Sequence, residues 1–177
     1  TKTNFLASAT YNRVDGVIKD KSYERYSVRL NLNHEINKWF KFGLQTQYSH
    51  SIEQRGSGME GDQYMYRISP LGALRNDDGT PTELVAADAQ MWNPLMNLVD
   101  GAVSAPLKTS RYLGSYYIEV TFPIEGLKFR SNLGLDSRTV QDYQFYSSKT
   151  SKRQLGTSYA ENGMSKYTMM TLENMFF

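Results

Sequence analysis

At 177 residues, +2 net charge and 21% charged side chains, the chain is long enough for one ordinary domain and carries no strong field for nucleic acid or an acidic partner. Hydrophobic residues make up 40%, but 13 Tyr, 8 Phe and 2 Trp supply much of that share, which favours strands with mixed faces over helices. With no cysteine, disulfide scaffolds and thiolate metal sites are excluded. The absence of eighteen consecutive apolar residues excludes a transmembrane helix but not transmembrane strands.

Thr1-Lys2-Thr3-Asn4 has no signal-peptide character and runs straight into a strand-like segment, so the sequence reads as starting inside a longer protein. Six segments then alternate with period two, near 3–13, 23–35, 39–50, 111–123, 127–140 and 166–177. The first opposes Phe5, Ala7, Ala9 and Tyr11 to Leu6, Ser8, Thr10 and Asn12. The second is the clearest: Tyr26, Val28, Leu30 and Leu32 interleave with Arg25, Ser27, Arg29, Asn31 and Asn33. The third sets Phe40, Phe42, Leu44, Thr46 and Tyr48 against Lys41, Gly43, Gln45, Gln47 and Ser49. The fourth sets Tyr112, Gly114, Tyr116 and Ile118 against Leu113, Ser115, Tyr117 and Glu119. Phe129, Ser131, Leu133 and Leu135 of the fifth oppose Arg130, Asn132, Gly134 and Asp136, whereas Met169, Met170, Met175, Phe176 and Phe177 blur the facing of the sixth.

The connections run long, short, long, short, long: about ten residues around Gly16, a tight Ile36-Asn37-Lys38, an outer loop over 51–110, a tight Pro123-Ile124-Glu125-Gly126, and a loop near 140–165. Outer-membrane barrels combine short periplasmic turns with long outer loops, so this order predicts that the first strand runs outward. Trp39, Phe40, Tyr48, Tyr112 and Phe122 sit near strand ends, where such barrels carry aromatic girdles. A mid-depth charge facing lipid costs roughly 2–4 kcal/mol, so Arg25, Arg29, Asn31, Lys41, Gln45, Arg130 and Asp136 are expected to face a lumen. In the long loop, Tyr64 and Trp92 are the expected outer contacts.

No motif points to an enzyme. Gly56-Ser57-Gly58-Met59-Glu60-Gly61 matches the dinucleotide fingerprint as a string, but Pro70 and half-polar flanking strands deny it a βαβ unit. Asn76-Asp77-Asp78-Gly79 lacks the glutamate of a calcium loop and reads as a polar turn, and His34 and His50 have no second ligand near in sequence. No cofactor or metal is expected.

Phe5-Leu6-Ala7-Ser8-Ala9-Thr10-Tyr11, then Gly16, Tyr23-Glu24-Arg25-Tyr26-Ser27-Val28-Arg29-Leu30-Asn31-Leu32-Asn33 and Asn37-Lys38-Trp39-Phe40-Lys41-Phe42-Gly43 resemble the early barrel of SusC-like (SusC/RagA) TonB-dependent outer-membrane transporters of Bacteroidetes. Asp78-Gly79-Thr80-Pro81, Pro123-Ile124-Glu125-Gly126-Leu127-Lys128-Phe129 and Thr171-Leu172-Glu173-Asn174 also fit that family. The resemblance implies an all-β fold: an antiparallel transmembrane β-barrel segment of about six strands and three hairpins, part of a larger barrel of about 22 strands, with the plug domain absent from 1–177. It further implies import of glycans (oligosaccharides) or peptides, a SusD-like surface lipoprotein, and TonB acting through parts outside this chain. The residues by themselves leave open a soluble all-β binding or adhesion module, or an outer-membrane barrel independent of TonB.

Overall fold

The computed structural model describes residues 2–18, 20–57, 67–85 and 91–177. They form a single antiparallel sheet. Its strands are β1 (Lys2–Asp15), β2 (Lys21–Asn37), β3 (Phe40–Arg55), β4 (Val103–Ser104), β5 (Pro106–Thr121), β6 (Lys128–Tyr146) and β7 (Tyr159–Phe176). The long strands pair in the order β1-β2-β3-β5-β6-β7. β4 lies against the end of β6 in the same register that β5 keeps along it, Ser104 opposite Phe145 and Leu107 opposite Asp142. It is therefore the continuation of β5 across an interruption at Ala105, next to a proline that has no N–H to offer the ladder.

The strands outrun the alternating pattern. β3 continues to Arg55, β5 starts at Pro106, β6 reaches Tyr146 and β7 begins at Tyr159, so the connection expected over 51–110 shrinks to 56–105. The connection expected to span about ten residues around Gly16 is shorter, with β1 ending at Asp15, β2 beginning at Lys21 and Gly16 N–H donating to Lys21 O at 2.8 Å. Hydrogen-bond ladders persist where both faces are wet, and there no burial demands alternation, so the ladder continues after the pattern has faded.

Cross-strand register sorts the side chains into two faces. Phe5, Leu32, Leu44, Tyr116, Leu133 and Leu172 lie in one row across the six long strands, and Ala7, Leu30, Thr46, Gly114, Leu135 and Met170 in the next. Nothing among the described residues packs on this apolar face: Phe5 is 67% exposed and Met170 and Phe176 are each 69% exposed. A second sheet, as a soluble sandwich requires, is absent among the described residues. The ambiguous seventh strand is settled by register, with Met170, Leu172 and Phe176 on the apolar face and Met169, Glu173 and Met175 opposite.

Aromatic rings border the apolar band. Phe129 meets Phe176 at one margin, centroids 4.9 Å apart, and Tyr11 meets Tyr26 at the other, 4.8 Å apart. Phe129 to Thr139, the margin-to-margin stretch of β6, is about ten residues. At a rise of about 3.4 Å and a tilt of about 40° it stands about 26 Å tall, which matches the apolar height of an outer-membrane barrel. Polar groups on this face satisfy each other: Thr3 Oγ1 with His34 Nδ1 at 2.7 Å, Ser137 with Thr168 at 3.1 Å, and the Tyr112 hydroxyl with that of Tyr116.

Burial is concentrated in the connections at the end of the sheet away from the two tight turns. Asn93 is fully buried; its Nδ2 donates to Leu74 O at 2.7 Å and to Thr82 Oγ1 at 3.0 Å, while its Oδ1 accepts from Leu95 N–H at 3.0 Å and caps the 3-10 turn Pro94–Leu98. Buried Asn97 donates through Nδ2 to Ser151 Oγ at 3.0 Å and accepts from Ser151 N–H at 2.9 Å, which fastens the β3–β5 connection to the β6–β7 connection. Arg55 adds a brace, bound to Asp142 and donating through Nε to Ala105 O at 3.1 Å. At the opposite end the turns are tight. Asn37 Oδ1 accepts from Trp39 and Phe40 N–H at 2.8 and 2.9 Å, and Gly126, at φ 81, turns the chain from Pro123 back to Leu127.

Candidate ligand-lining face

The other face of the sheet is polar and laid out in rows. Nearest the tight turns stands a ladder of alternating charge, Glu35, Lys41, Glu119 and Arg130 on successive strands. Lys41 is 3.8 Å from Glu35 and Arg130 is 3.8 Å from Glu119. Above it, Tyr117 lies across Gly43: a Cβ at Gly43 would stand 2.3 Å from Tyr117 Cε1. The Tyr117 hydroxyl donates to Asn33 Oδ1 at 3.0 Å, and the Arg130 guanidinium covers the ring at 4.3 Å. Both faces of this ring are occupied.

Beyond that shelf the face opens into a hollow of about 420 Å³ lined by Arg29, Asn31, Gln45, Gln47, Leu113 and Ser115. Small residues make the space, since Ser115 and Gly134 occupy the row of Asn31 and Gln45. Arg29 Nη2 donates to Gln47 Oε1 at 3.0 Å, which orients both side chains. The outer lip is the Arg111–Asp136 pair, with Nε and Nη2 donating to the two carboxylate oxygens at 3.0 and 2.7 Å. Facing acids neutralise the cations of the ladder and the lip, and the hollow between them offers amides, a hydroxyl and one guanidinium.

All seven residues singled out from the sequence, Arg25, Arg29, Asn31, Lys41, Gln45, Arg130 and Asp136, share this polar face. Only Arg29, Asn31 and Gln45 line the hollow. Lys41 and Arg130 belong to the charge ladder, Asp136 is held by Arg111, and Arg25 stands toward the outer end opposite Ser51. Trp92 is half-buried, its backbone bridged to Leu84, and Tyr64 falls outside the described residues. Sequence reasoning passed over Gln47 and Ser115, although their parity already put them on this face. It also passed over Arg111, whose partnership with Asp136 depends on register between β5 and β6 that alternation does not encode.

A second cleft of about 520 Å³ opens at the outer end, between the 16–20 turn and the 3-10 turn, with Asp15, Asp20, Gln54, Asn97 and Asp100 in its walls. Among the described residues no three His, Asp or Glu side chains gather as a metal site; His34 bonds Thr3, and His50 Nδ1 lies 2.9 Å from Ser110 Oγ. No helix among the described residues is long and apolar enough to cross a membrane, which says nothing of strands.

No family model matches the chain. It is similar to TonB-dependent receptor P3 of Formosa agariphila, 27% identical over 152 residues, covering 81% of this chain and 15% of the receptor. TonB-dependent receptor P26 of the same organism is 25% identical over 148 residues, covering 83% of this chain and 14% of that protein. The chain thus spans about one seventh of the length of these curated relatives. In fold it is similar to the RagAB peptide importer, with a TM-score of 0.60 in the closed-closed state and 0.59 in the open-open state. Identities are 17% and 18%, covering 97% and 96% of this chain and 20% of the neighbour in each case. These relatives and neighbours are receptors and importers, not enzymes.

Proposed function

We propose that this chain, a wall segment of a SusC-like, TonB-dependent barrel of a bacterial outer membrane, lines the path by which oligosaccharides or peptides enter the cell. The three connections over 16–20, 56–105 and 147–158 face outward, and the two tight turns face the periplasm. The observation that carries the reading is the hollow itself. A stretch of amide and hydroxyl groups with a single guanidinium, Arg29, held by Gln47 and set between self-neutralised ion pairs, exchanges hydrogen bonds with a polar ligand with little trapping by charge. Weak, repeated contacts of this kind suit passage better than storage. The fastened outer connections supply a rigid rim on which a SusD-like lipoprotein would sit, and TonB would act through parts of the barrel beyond this chain.

The test is uptake by cells expressing the full-length parent, with Asn31→Ala and Gln45→Ala combined. Losing two hydrogen-bonding side chains at about 1 kcal/mol each lowers ligand engagement roughly thirtyfold. Uptake of a labelled oligosaccharide pool or a labelled peptide pool is expected to fall while folded barrel in the outer membrane is unchanged. Unaltered uptake of both pools would remove the hollow from the import path.

A further inference from the structure

At the outer tyrosine margin the lipid-side face stops being apolar. The row of Tyr11 and Tyr26 itself continues through His50 on β3, Ser110 on β5, Thr139 on β6 and Lys166 on β7, and the row beyond it through Ile52, Lys108, Gln141 and Met164. Lys108 and Lys166 are both exposed and neither has an acidic partner among the described residues. The acids on this part of the face, Asp15 and Glu24, are bound by Arg13 at 3.2 and 3.0 Å. The two lysines flank β6 diagonally. With a strand spacing of about 4.8 Å and a rise of about 3.4 Å, their Cα atoms stand about 12 Å apart. Between them lie side chains able to donate to a bridging phosphate: Thr139, Gln141 and the Ser110 hydroxyl, which is 2.9 Å from His50 Nδ1.

We infer that this patch is a seat for the phosphate-bearing headgroup of an outer-leaflet lipid, with Lys108 and Lys166 as its cationic clamps. Depth supports that occupant. Lys108 lies four residues past Tyr112 on the same face, about 10 Å higher for a strand tilted by about 40°, where the hydrocarbon gives way to headgroups. A soluble anion would have no reason to favour a site that opens sideways above a lipid-facing tyrosine belt. The patch joins β5, β6 and β7 across three strands, so a lipid seated there bridges consecutive hairpins at the membrane surface. The inference rests on the outward orientation proposed above.

The test uses the full-length parent purified from outer membranes in neutral detergent, with mass spectrometry of the phosphate-bearing lipid retained per barrel. Binding is then titrated with lipopolysaccharide extracted from the same cells, native and dephosphorylated. Lys108→Gln with Lys166→Gln is expected to weaken retention on the order of tenfold, and Lys108→Arg with Lys166→Arg to restore it. Equal retention by wild type and the glutamine variant, or equal binding of dephosphorylated lipid, would overturn the inference. The Asp77→Cys variant is labelled in parallel with a membrane-impermeant reagent on intact cells. Labelling without a lipid effect defeats the lipid seat alone, whereas failure to label overturns the orientation and the lipid seat with it.

Discussion

Gly43 is expected to be the position on the polar face least tolerant of an added methyl group. A Cβ there would sit 2.3 and 2.8 Å from Tyr117 Cε1 and Cζ and 2.5 Å from Asn33 Oδ1, so Gly43→Ala must lift the ring from the sheet. Lifting it breaks the hydroxyl bond to Asn33 and the stacking of Arg130. Those contacts are worth about 1 kcal/mol and about 0.5–1 kcal/mol, and overpacking adds about 1–3 kcal/mol. Alanine recovers about 0.5–1 kcal/mol of backbone entropy relative to glycine in a strand. The net expectation is a loss of about 1.5–4.5 kcal/mol. The assay is equilibrium unfolding of the full-length parent in detergent by denaturant, alongside Tyr117→Phe, which forfeits only the hydroxyl bond and is expected to cost about 1 kcal/mol. Combining Gly43→Ala with Tyr117→Ala removes the clash with the ring and leaves only the contact with the end of the Asn33 side chain, so the double variant is expected to lose less than the sum of the single losses. A Gly43→Ala barrel within about 0.5 kcal/mol of wild type, the noise of such sums, would refute the account of Tyr117 as a ring fitted over a missing side chain.

Asn97→Ala removes the hydrogen bonds that its side chain exchanges with buried Ser151 and is expected to loosen these connections by about 1–3 kcal/mol. Limited proteolysis should then cut within 147–158 while the barrel keeps its heat-resistant migration in gel electrophoresis. Asp78 accepts hydrogen bonds from the Thr80 hydroxyl at 2.6 Å and from its N–H at 2.9 Å, which hold its carboxyl below the ordinary range. A depressed folded value means the contribution to the 75–81 turn is complete above the ordinary carboxylate pKa of about 3.9 and is lost as pH falls through the lower, folded value. Hydrogen exchange at Thr80 should therefore accelerate only below that ordinary value, and Asp78→Asn should abolish the dependence. A midpoint at or above the ordinary value would sink this reading of the turn.

Much of the sheet was legible because a one-sided environment leaves a period of two: the facing of β2, β3 and β6 follows from the alternation of Tyr26 to Leu32, Phe40 to Tyr48 and Phe129 to Leu135, while the rows across strands needed the register. What was illegible lies where that pressure ends. The ladder from 141 to 146 and from 159 to 165 lies beyond the apolar band, so composition there carries little imprint of facing. The loop locks at Asn93 and Asn97 are invisible for another reason. Asparagine is as common in open turns as in buried caps, and only the positions of Leu74, Thr82 and Ser151, supplied by chain folded from elsewhere, decide which it is. The hollow is an intermediate case: alternation gave its face, but its depth comes from small residues on neighbouring strands brought level by register.

The distribution of charge on the polar face argues further about what such a wall can do. An unpaired cation in a confined polar lumen would bind acidic ligands tightly and slow their release, whereas a wall without charges would bind its hydration poorly. Here Lys41, Arg130 and Arg111 are each set against an acid on a neighbouring strand, so their fields largely cancel beyond a few ångströms. Arg29 is the exception within the hollow, and it is spent partly on Gln47. On the function proposed above, selectivity at this stretch of wall would therefore rest on the placement of hydrogen-bonding groups rather than on net charge. Reversing one member of a pair, as Asp136→Lys would, should consequently bias the wall toward acidic cargo more than any substitution inside the hollow, and competition between acidic and neutral peptides for uptake reads that shift directly.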